Sequence, residues 1–191
     1  MAFLKEIVLV YFAINLCSGR LVKIDNLLKE DLTISATGLQ DFVLPALMTK
    51  NITLENGLNT IYGTYKSCNV SECREYVTKV NLTIGHLASN MDLQCVDVKK
   101  GFNLPMKVEA TPDLCLLSLC GSKMLVSMCD EEDLVIINNV VMGCKNNNNS
   151  IVNFNVECGK LAVTSDYKSD NIQKCVNIEY YTVTFAYQDW W

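Results

Sequence analysis

The sequence predicts a β-rich α+β protein in which an antiparallel sheet is stapled by disulfides and an amphipathic helix opens the mature chain. Three observations predict this class. Apolar and polar residues alternate along several segments, which is typical of strands with one face in water. The chain has 10 cysteines, and its first residues are typical of a secretory signal peptide, so the cysteines should meet an oxidising compartment.

The signal peptide is predicted over residues 1–19. Lys5 precedes an apolar run that ends at Leu16, and small residues follow up to Gly19, after which cleavage is expected. The run is too short to span a bilayer, which takes about 20 apolar residues, and no later segment is longer. We therefore expect residues 20–191 to form one domain that is secreted to the extracellular space and has no membrane span.

The first element of the mature chain is predicted to be an amphipathic helix. Within residues 21–32, apolar side chains recur at helical spacing, at Leu21, Ile24, Leu27 and Leu28. Further on, Pro45 interrupts an apolar patch, and a proline there either ends a helix near Leu44 or marks a bend into extended chain.

A β-hairpin is predicted over residues 51–68. Ile52 and Leu54 alternate with polar residues in the first arm, and Asn56-Gly57, which follows, is the strongest short signal for a hairpin turn. The second arm, LNTIYGTYKSC, is rich in β-branched and aromatic residues and ends in a cysteine.

Further strands are predicted along the rest of the chain. Val80, Leu82 and Ile84 share one face of YVTKVNLTIGHL, and IVNFNVEC at 151–158 alternates as regularly. A change of face near Tyr180 predicts a bulge or sharp twist in the last strand. Less regular apolar segments also predict strands: LPMKVEA, LCLLSLC, KMLVSMC, DLVIINNVVMGC and VNIEYYTVTFAYQ.

Four N-glycosylation sequons agree with export. A single Asn-x-Ser/Thr triplet arises often by chance, whereas four in a chain with a signal peptide predict a glycoprotein whose acceptor asparagines lie on the surface. The acceptors are Asn51, Asn69, Asn81 and Asn148.

An odd number of cysteines, nine, follows the signal peptide. In an oxidising compartment eight of them are predicted to form disulfides, each worth about 2–4 kcal/mol, although the sequence leaves their pairing open. Cys95 lies apart from the close pairs and is predicted to be the odd cysteine, which makes the protein either a monomer with one free thiol or a disulfide-linked dimer. The eight others are Cys68, Cys73, Cys115, Cys120, Cys129, Cys144, Cys158 and Cys175.

The composition argues against several classes of function. A formal net charge of −5, with Arg20 and Arg74 as the only arginines, argues against nucleic acid, because phosphate binding needs clustered basic residues. The single histidine, His86, lies on the apolar side of a predicted strand and is interpreted as structural. No catalytic motif is present, and the acidic run CDEED at 129–133 is interpreted as a solvated turn. We therefore expect a non-enzymatic protein without metal or cofactor.

The order of the predicted elements resembles a known family. Between residues 21 and 100, with Leu54, Leu58, Ile61 and Gly63 among the matching residues, the chain is similar to the single-domain lipid carriers of arthropods: the group-7 mite allergens, their tick relatives and the juvenile-hormone-binding family. The resemblance implies a strongly curved antiparallel sheet wrapped around a long helix, with a lipid held between them. The chain departs from that family in its nine mature cysteines and in ending with a strand where a second helix is expected.

Two functions fit these expectations. One is an exported, disulfide-stapled interaction module of the effector type that binds a protein partner, and the high cysteine count favours this interpretation. The other is a carrier or scavenger of a lipid or other apolar small molecule, in which apolar side chains line a groove instead of packing the core. The groove candidates are Leu39, Phe42, Val43, Leu47, Val80, Leu82 and Ile84.

Overall fold

The computed structural model describes residues 19–68, 71–86, 91–112, 115–122, 124–147, 158, 161–165 and 171–187. Within these ranges the strands are, in chain order, β1 (Arg20–Asn26), β2 (Leu32–Ala36), β3 (Phe42–Leu44), β4 (Thr49–Leu54), β5 (Gly57–Tyr65), β6 (Lys79–His86), β7 (Met91–Asp97), β8 (Gly101–Phe102), β9 (Met106–Thr111), β10 (Ser118–Cys120), β11 (Leu134–Ile137), β12 (Val140–Lys145), β13 (Ala162–Val163), β14 (Gln173–Val176) and β15 (Tyr180–Phe185). The helices are α1 (Glu72–Glu75), α2 (Met124–Ser127) and the 3₁₀-helix η1 (Glu131–Asp133).

The strands form three sheets. The first sheet has the order β10-β9-β15-β1-β4, in which β1 and β15 run parallel and the other pairs antiparallel. The second has the order β13-β7-β6-β5-β2-β3, and β14 also pairs with β7. The third is a small antiparallel sheet with the order β11-β12-β8. β1 and β15, the first and last described strands of the chain, therefore lie side by side within the first sheet.

The first and second sheets share one hydrophobic core. β15 of the first sheet contributes Tyr181, Val183 and Phe185, and the inward residues of β5 and β6 come from the second. Burying each large apolar side chain stabilises the fold by about 1.5–3 kcal/mol. A Cβ atom at Gly63 of β5 would lie only 2.7 Å from Cε1 of Phe185, so the close approach of the two sheets requires glycine there.

The predicted N-terminal helix is wrong, because its first residues form β1. Val22 and Ile24 are buried on one face of this strand, whereas Leu21 is exposed on the other. β1 pairs with β4 on one side and β15 on the other, and these contacts outweigh the local spacing of the leucines. Leu27 and Leu28, which completed the helical pattern, lie in the bend after the strand.

The chain turns at Asn56-Gly57 as predicted, but the strands on the two sides of this turn do not pair with each other. β4 pairs with β1 in the first sheet, and β5 pairs with β2 and β6 in the second. The turn therefore carries the chain from one sheet to the other. Gly57 has a φ of 115°, a conformation that favours glycine. Both arms bury their apolar face in the shared core instead of pairing with each other.

The strongly curved sheet is also not found among the described residues. Each α-helix has only four residues, and α2 occupies KMLVSMC, where a strand was expected. The segment DLVIINNVVMGC, expected to be a strand, is the hairpin β11–β12. Asn138 and Asn139 at its turn both have positive φ, 51° and 62°, as tight hairpin turns of type I′ require.

Other predicted strands are confirmed. Val80, Leu82 and Ile84 of β6 are buried, as their alternation predicts, and LPMKVEA and LCLLSLC contain β9 and β10. Apart from its cysteine, IVNFNVEC lies outside the described residues. The last predicted strand, residues 176–188, contains β15, and only its first residue, Val176, belongs to β14, which lies in a different sheet. Asn177 lies between β14 and β15 with a φ of 55°. The bulge or sharp twist was expected near Tyr180, where β15 pairs with β9 in regular register.

The expected disulfide framework is present in the fold. Sequence separations within the four bridges range from 5 to 60 residues. The bridges are Cys68–Cys73, Cys115–Cys175, Cys120–Cys158 and Cys129–Cys144.

Cys95 carries a free thiol and lies in β7. Its side chain is 6% exposed, and burial raises the pKa of the thiol from 9.0 to about 11. The neutral thiol is therefore favoured in the folded protein. Its contribution to stability is complete below pH 9 and is lost as the pH rises towards 11. A sulfur so deeply buried is poorly placed to join two chains.

We expect iodoacetamide at about pH 8 to leave the native, unreduced mature protein, residues 20–191, unlabelled and to label one cysteine after unfolding in guanidinium. The reacting species is the thiolate, which burial makes scarce at Cys95 in the folded state. Mass spectrometry counts the labels. Labelling of the native protein as fast as the unfolded protein would contradict the burial of Cys95, and more than one label in unfolded, unreduced protein would contradict the four disulfides.

A buried carboxylate joins the two large sheets. Asp92 of β7 is 1% exposed and accepts hydrogen bonds from Nε of Arg20 at 2.9 Å, the Tyr181 hydroxyl at 3.0 Å and the Gly85 amide at 2.8 Å. Arg20 and Tyr181 belong to the first sheet, whereas Asp92 belongs to the second. Burial and then the Asp92 charge raise the pKa of Tyr181, so this hydroxyl stays protonated and donates its hydrogen bond.

Candidate functional site

A cleft of about 400 Å³ lies where β5 and β15 end, beside the third sheet. Its volume falls in the range of ligand sites in proteins, roughly 300–1,000 Å³. The lining is mostly aromatic and aliphatic and consists of Tyr65, Phe102, Asn103, Ser122, Val126, Val141, Met142 and Tyr187.

Three parts of the fold supply the walls of the cleft. Tyr65 ends β5 and Tyr187 follows β15, so both come from strands whose other residues pack the core. Val126 lies in α2, and β12 supplies the facing wall. A disulfide joins Cys129, after α2, to Cys144 of β12. This bridge holds two walls of the cleft together.

Two tyrosines give the cleft its polar side. Tyr65 and Tyr187 are half-buried, and their side chains are hydrogen-bonded to each other. Burial raises the pKa of Tyr65, and the neighbouring Tyr187 and the charge of Glu30 raise it further. Tyr65 therefore stays protonated at neutral pH, where its hydroxyl can take part in hydrogen bonds but does not serve as a base.

The remaining polar side chains of the lining are engaged in the fold. Nδ2 of Asn103 donates to the Gly63 carbonyl at 2.8 Å, and its Oδ1 accepts from the Thr78 amide at 3.0 Å. Oγ of Ser122 accepts from the amide of Met124 at 3.1 Å, at the start of α2. The lining residues include no carboxylate, histidine or thiol. The lining can contact the apolar or aromatic part of a bound group and also offers hydroxyl groups.

A narrow crevice continues from the cleft past Tyr65. It is bordered by Glu72, Tyr76 and the Cys68–Cys73 disulfide, and its volume of about 10 Å³ is close to that of one water molecule. The charge of Glu75 raises the pKa of Tyr76. The crevice adds charge to the edge of the cleft but no room for a ligand.

The hairpin β11–β12 presents apolar side chains to solvent next to the cleft. Ile136 and Val140 are 54% and 53% exposed, and Val141, which lines the cleft, is also exposed. Ile136 lies opposite Val141 in the ladder, whereas Val140 pairs with Ile137. Exposed apolar residues grouped beside a concave site are typical of protein interaction surfaces.

The structure separates the seven predicted groove residues into two groups, and neither group lines the cleft. One group consists of Val80, Leu82 and Ile84, which are fully buried in the core between the sheets. They pack against neighbouring side chains and do not border the space at the end of the sheets.

The other group surrounds the edge strand β3. Leu39, Val43 and Leu47 are exposed, as is Met48, and we name these four residues the β3 edge. Phe42 is half-buried and packs against the core. The β3 edge is a second exposed apolar surface, and it provides matched control positions for tests of the cleft.

The predicted glycosylation sites differ in their surroundings. Asn51 is exposed on β4, whereas Asn81 is half-buried. Nδ2 of Asn81 donates to Asp97 at 3.1 Å, and its Oδ1 accepts from the Thr60 hydroxyl at 2.9 Å. Asn69 and Asn148 lie outside the described residues.

We expect protein secreted from a eukaryotic host to carry a glycan at Asn51 and little or none at Asn81. A glycan is attached to the side-chain nitrogen, and at Asn81 this nitrogen is held against Asp97 between neighbouring strands. Enzymatic deglycosylation in H₂¹⁸O, followed by peptide mass spectrometry, marks each modified asparagine. Full occupancy at Asn81 together with an unmodified Asn51 would contradict this assignment.

The cleft residues were not singled out from the sequence. They come from separate strands and loops, and no local pattern connects them. One local signal was available: the apolar residues on both sides of Asn138-Asn139. A tight hairpin with apolar residues on both of its faces cannot bury both, so some of them must remain exposed.

Two further expectations concern metals and membranes. Among the residues that the structure describes, no three His, Cys, Asp or Glu side chains are grouped so that they could hold a metal ion. The acidic run at 129–133 contains η1, with Glu131 and Glu132 exposed and Asp133 buried. None of the described helices has the length and apolar character needed to cross a bilayer.

Comparisons with known proteins concern the fold. No protein-family profile and no curated protein sequence matches the chain. The protein elicitor MoHrip2 from Magnaporthe oryzae has a similar structure, with a TM-score of 0.50 and 8% identity over 87% of this chain and 98% of the elicitor. The thaumatin-like xylanase inhibitor TLXI gives a TM-score of 0.47 and 11% identity over 86% of this chain and 97% of the inhibitor.

The resemblance to the arthropod lipid carriers is therefore wrong. The fold is similar to that of a protein elicitor. A strand, β1, begins where those carriers would have their helix, and the residues expected in a lipid groove are divided between the core and an exposed edge. The order of local elements suggested the family, but the pairing of the strands does not follow it.

Proposed function

We propose that the chain is a secreted, non-enzymatic binding protein of the effector type that holds part of a protein partner in its cleft. The observation that carries this proposal is the continuity of the cleft with the exposed hairpin, since Val141 belongs to both. A small ligand within the cleft would leave Ile136, which lies opposite Val141, in water. A protein partner would cover it and place a side chain in the cleft, as anchor residues do at protein interfaces.

The composition of the lining supports binding in preference to catalysis. Its aromatic and aliphatic side chains offer contact area, and Tyr65 and Tyr187 offer a hydroxyl pair for orientation. The disulfide between Cys129 and Cys144 keeps the walls in place before a partner arrives, which reduces the entropy lost on binding. A protein elicitor has a similar fold, and we propose that this chain acts on a protein partner.

Export is part of the proposal. Four disulfides are typical of an oxidising compartment, and residues 1–19 have the composition of a signal peptide. Residues 20–191 would then be the secreted domain, with glycans at those of the four sequons that are accessible.

Small organic probes test the location of the site. Isopropanol, phenol and acetamide, titrated separately into methyl-labelled protein, should each shift the NMR signals of Val126, Val141 and Met142, because a well-formed concave site accepts unrelated apolar groups. Val141→Asp should abolish these shifts. The matched variant Val43→Asp, at the β3 edge, should retain them. Probe shifts confined to the β3 edge, or absent from the cleft, would contradict the proposed site.

A further inference from the structure

The aromatic content of the cleft points to the chemistry of the group it holds. Tyr65 and Tyr187 place two half-buried rings in the lining, whereas Phe102 is buried in the core, and the face of an aromatic ring attracts a cation within about 6 Å of its centre. Val126 and Met142 add aliphatic surface, which suits the methylene stem of a long basic side chain. The lining residues include no lysine, arginine or histidine that would repel such a group.

Carboxylates lie at the edge of this aromatic cleft. Glu30 lies near Tyr65, because the amide of Lys66 donates to the carbonyl of Asp31, the residue after Glu30, at 3.1 Å, and its charge acts on the Tyr65 hydroxyl. Glu72 borders the adjoining crevice. Neither carboxylate forms an ion pair with a described residue. The turn that carries Glu30 is fixed, because Nδ2 of the buried Asn26 donates to the Glu30 carbonyl at 2.9 Å.

The lysines near the cleft are engaged elsewhere. Lys66 follows Tyr65 in sequence but pairs with Asp31, with Nζ and Oδ2 3.2 Å apart. A hydrogen bond from the Ala46 amide, and then Lys66, lower the pKa of Asp31, so this carboxylate stays ionised at neutral pH. Nζ of Lys145 lies 5.6 Å from the centre of the Tyr76 ring. A cation that enters the cleft therefore meets the tyrosine rings on the side of Glu30, whereas the crevice that Glu72 borders already has the charge of Lys145 over Tyr76.

We infer that the cleft accepts an arginine or lysine side chain of a protein partner. The inference rests on the proposed function and specifies its ligand. The stem of the basic side chain packs against Val126 and Met142, and its charge lies against the tyrosine rings within reach of Glu30. Ile136, opposite Val141 in the hairpin, contacts the partner beside the basic residue, which favours a protein over a free amine. The net charge of −5 attracts a basic partner at longer range.

Capped tripeptides provide a controlled test. The probes are acetyl-Gly-X-Gly-amide with X as arginine, lysine, citrulline or norleucine, where citrulline has the shape of arginine without its charge. We expect the arginine and lysine peptides to shift the methyl signals of Val126, Val141 and Met142 and the citrulline peptide to bind about tenfold more weakly. Glu30→Gln should weaken the arginine peptide about threefold, whereas Glu55→Gln, at an exposed carboxylate between β4 and β5, should leave its affinity unchanged.

The outcomes separate this inference from the proposed function. Equal binding of the arginine, citrulline and norleucine peptides would overturn the inference and leave the cleft as an apolar site. Probe molecules that bind in the cleft while none of the peptides does would overturn it as well. A cleft that accepts neither the organic probes nor any peptide would overturn the proposed function itself. Selective binding of the charged peptides that becomes about threefold weaker in Glu30→Gln supports both.

Discussion

Replacing Asp92 with alanine is expected to lower the free energy of unfolding by about 3–5 kcal/mol. The substitution removes the buried carboxylate and leaves the groups that donate hydrogen bonds to it without an acceptor. The Arg20 guanidinium and the Tyr181 hydroxyl would both lose the carboxylate that joins the two large sheets. Equilibrium unfolding in urea, followed by circular dichroism, measures the change.

A surface ion pair provides the control for Asp92. Arg74 and Asp41 lie 2.9 Å apart, and their side chains are 50% and 36% exposed, so Arg74→Ala should change the free energy of unfolding by less than about 1 kcal/mol. A loss of similar size in both variants would contradict the view that the buried network holds the two sheets together.

Removing the disulfide that closes the longest loop should lower the free energy of unfolding nearly as much as Asp92→Ala does. The Cys115–Cys175 bridge spans 60 residues, and constraining a loop of this length in the unfolded chain stabilises the native state by about 4 kcal/mol. The double variant Cys115→Ala/Cys175→Ala should lose that amount in guanidinium unfolding without reductant.

The shortest bridge is the matched control for this variant. Cys68 and Cys73 are separated by 5 residues, so Cys68→Ala/Cys73→Ala should lose only about 2 kcal/mol. Equal losses, or a larger loss from the short loop, would show that loop closure is not the source of the stabilisation.

Strands with a regular alternation could be predicted because the signal is local. The alternation of Val80, Leu82 and Ile84 correctly predicted the buried face of β6, since a strand that packs on a core has one apolar face. The turn at Asn56-Gly57 was also local. The strands that pair with its two arms could not be predicted, because β4 and β5 belong to different sheets. Nothing in residues 51–68 indicates which strands they pair with.

The start of the mature chain shows how local spacing can mislead. Leu21, Ile24 and Leu28 fit a helix, but Val22 and Ile24 fit a strand equally well. Pairing with β4 and with β15, the last described strand, decided between them. Contacts at such sequence distance are invisible in a window of a dozen residues.

The cleft lay beyond prediction for the same reason. Tyr65 and Tyr187 come from strands of different sheets and meet only because both strands end at the same place. The cysteine pairing that holds the neighbouring wall, Cys129 with Cys144, likewise follows from the course of the chain. The number of cysteines predicted the number of disulfides, whereas the topology of the fold determines which segments they join.

The claim that the cleft is the binding site is tested most directly by selecting peptides against the folded protein. A random peptide library displayed on phage is enriched on immobilised wild-type protein, and each enriched peptide is then measured against Val141→Asp and against Val43→Asp. We predict that most enriched peptides contain arginine or lysine, lose binding to Val141→Asp and keep binding to Val43→Asp. Peptides that bind Val141→Asp as well as the wild type but fail on Val43→Asp would contradict the account and place the binding site at the β3 edge.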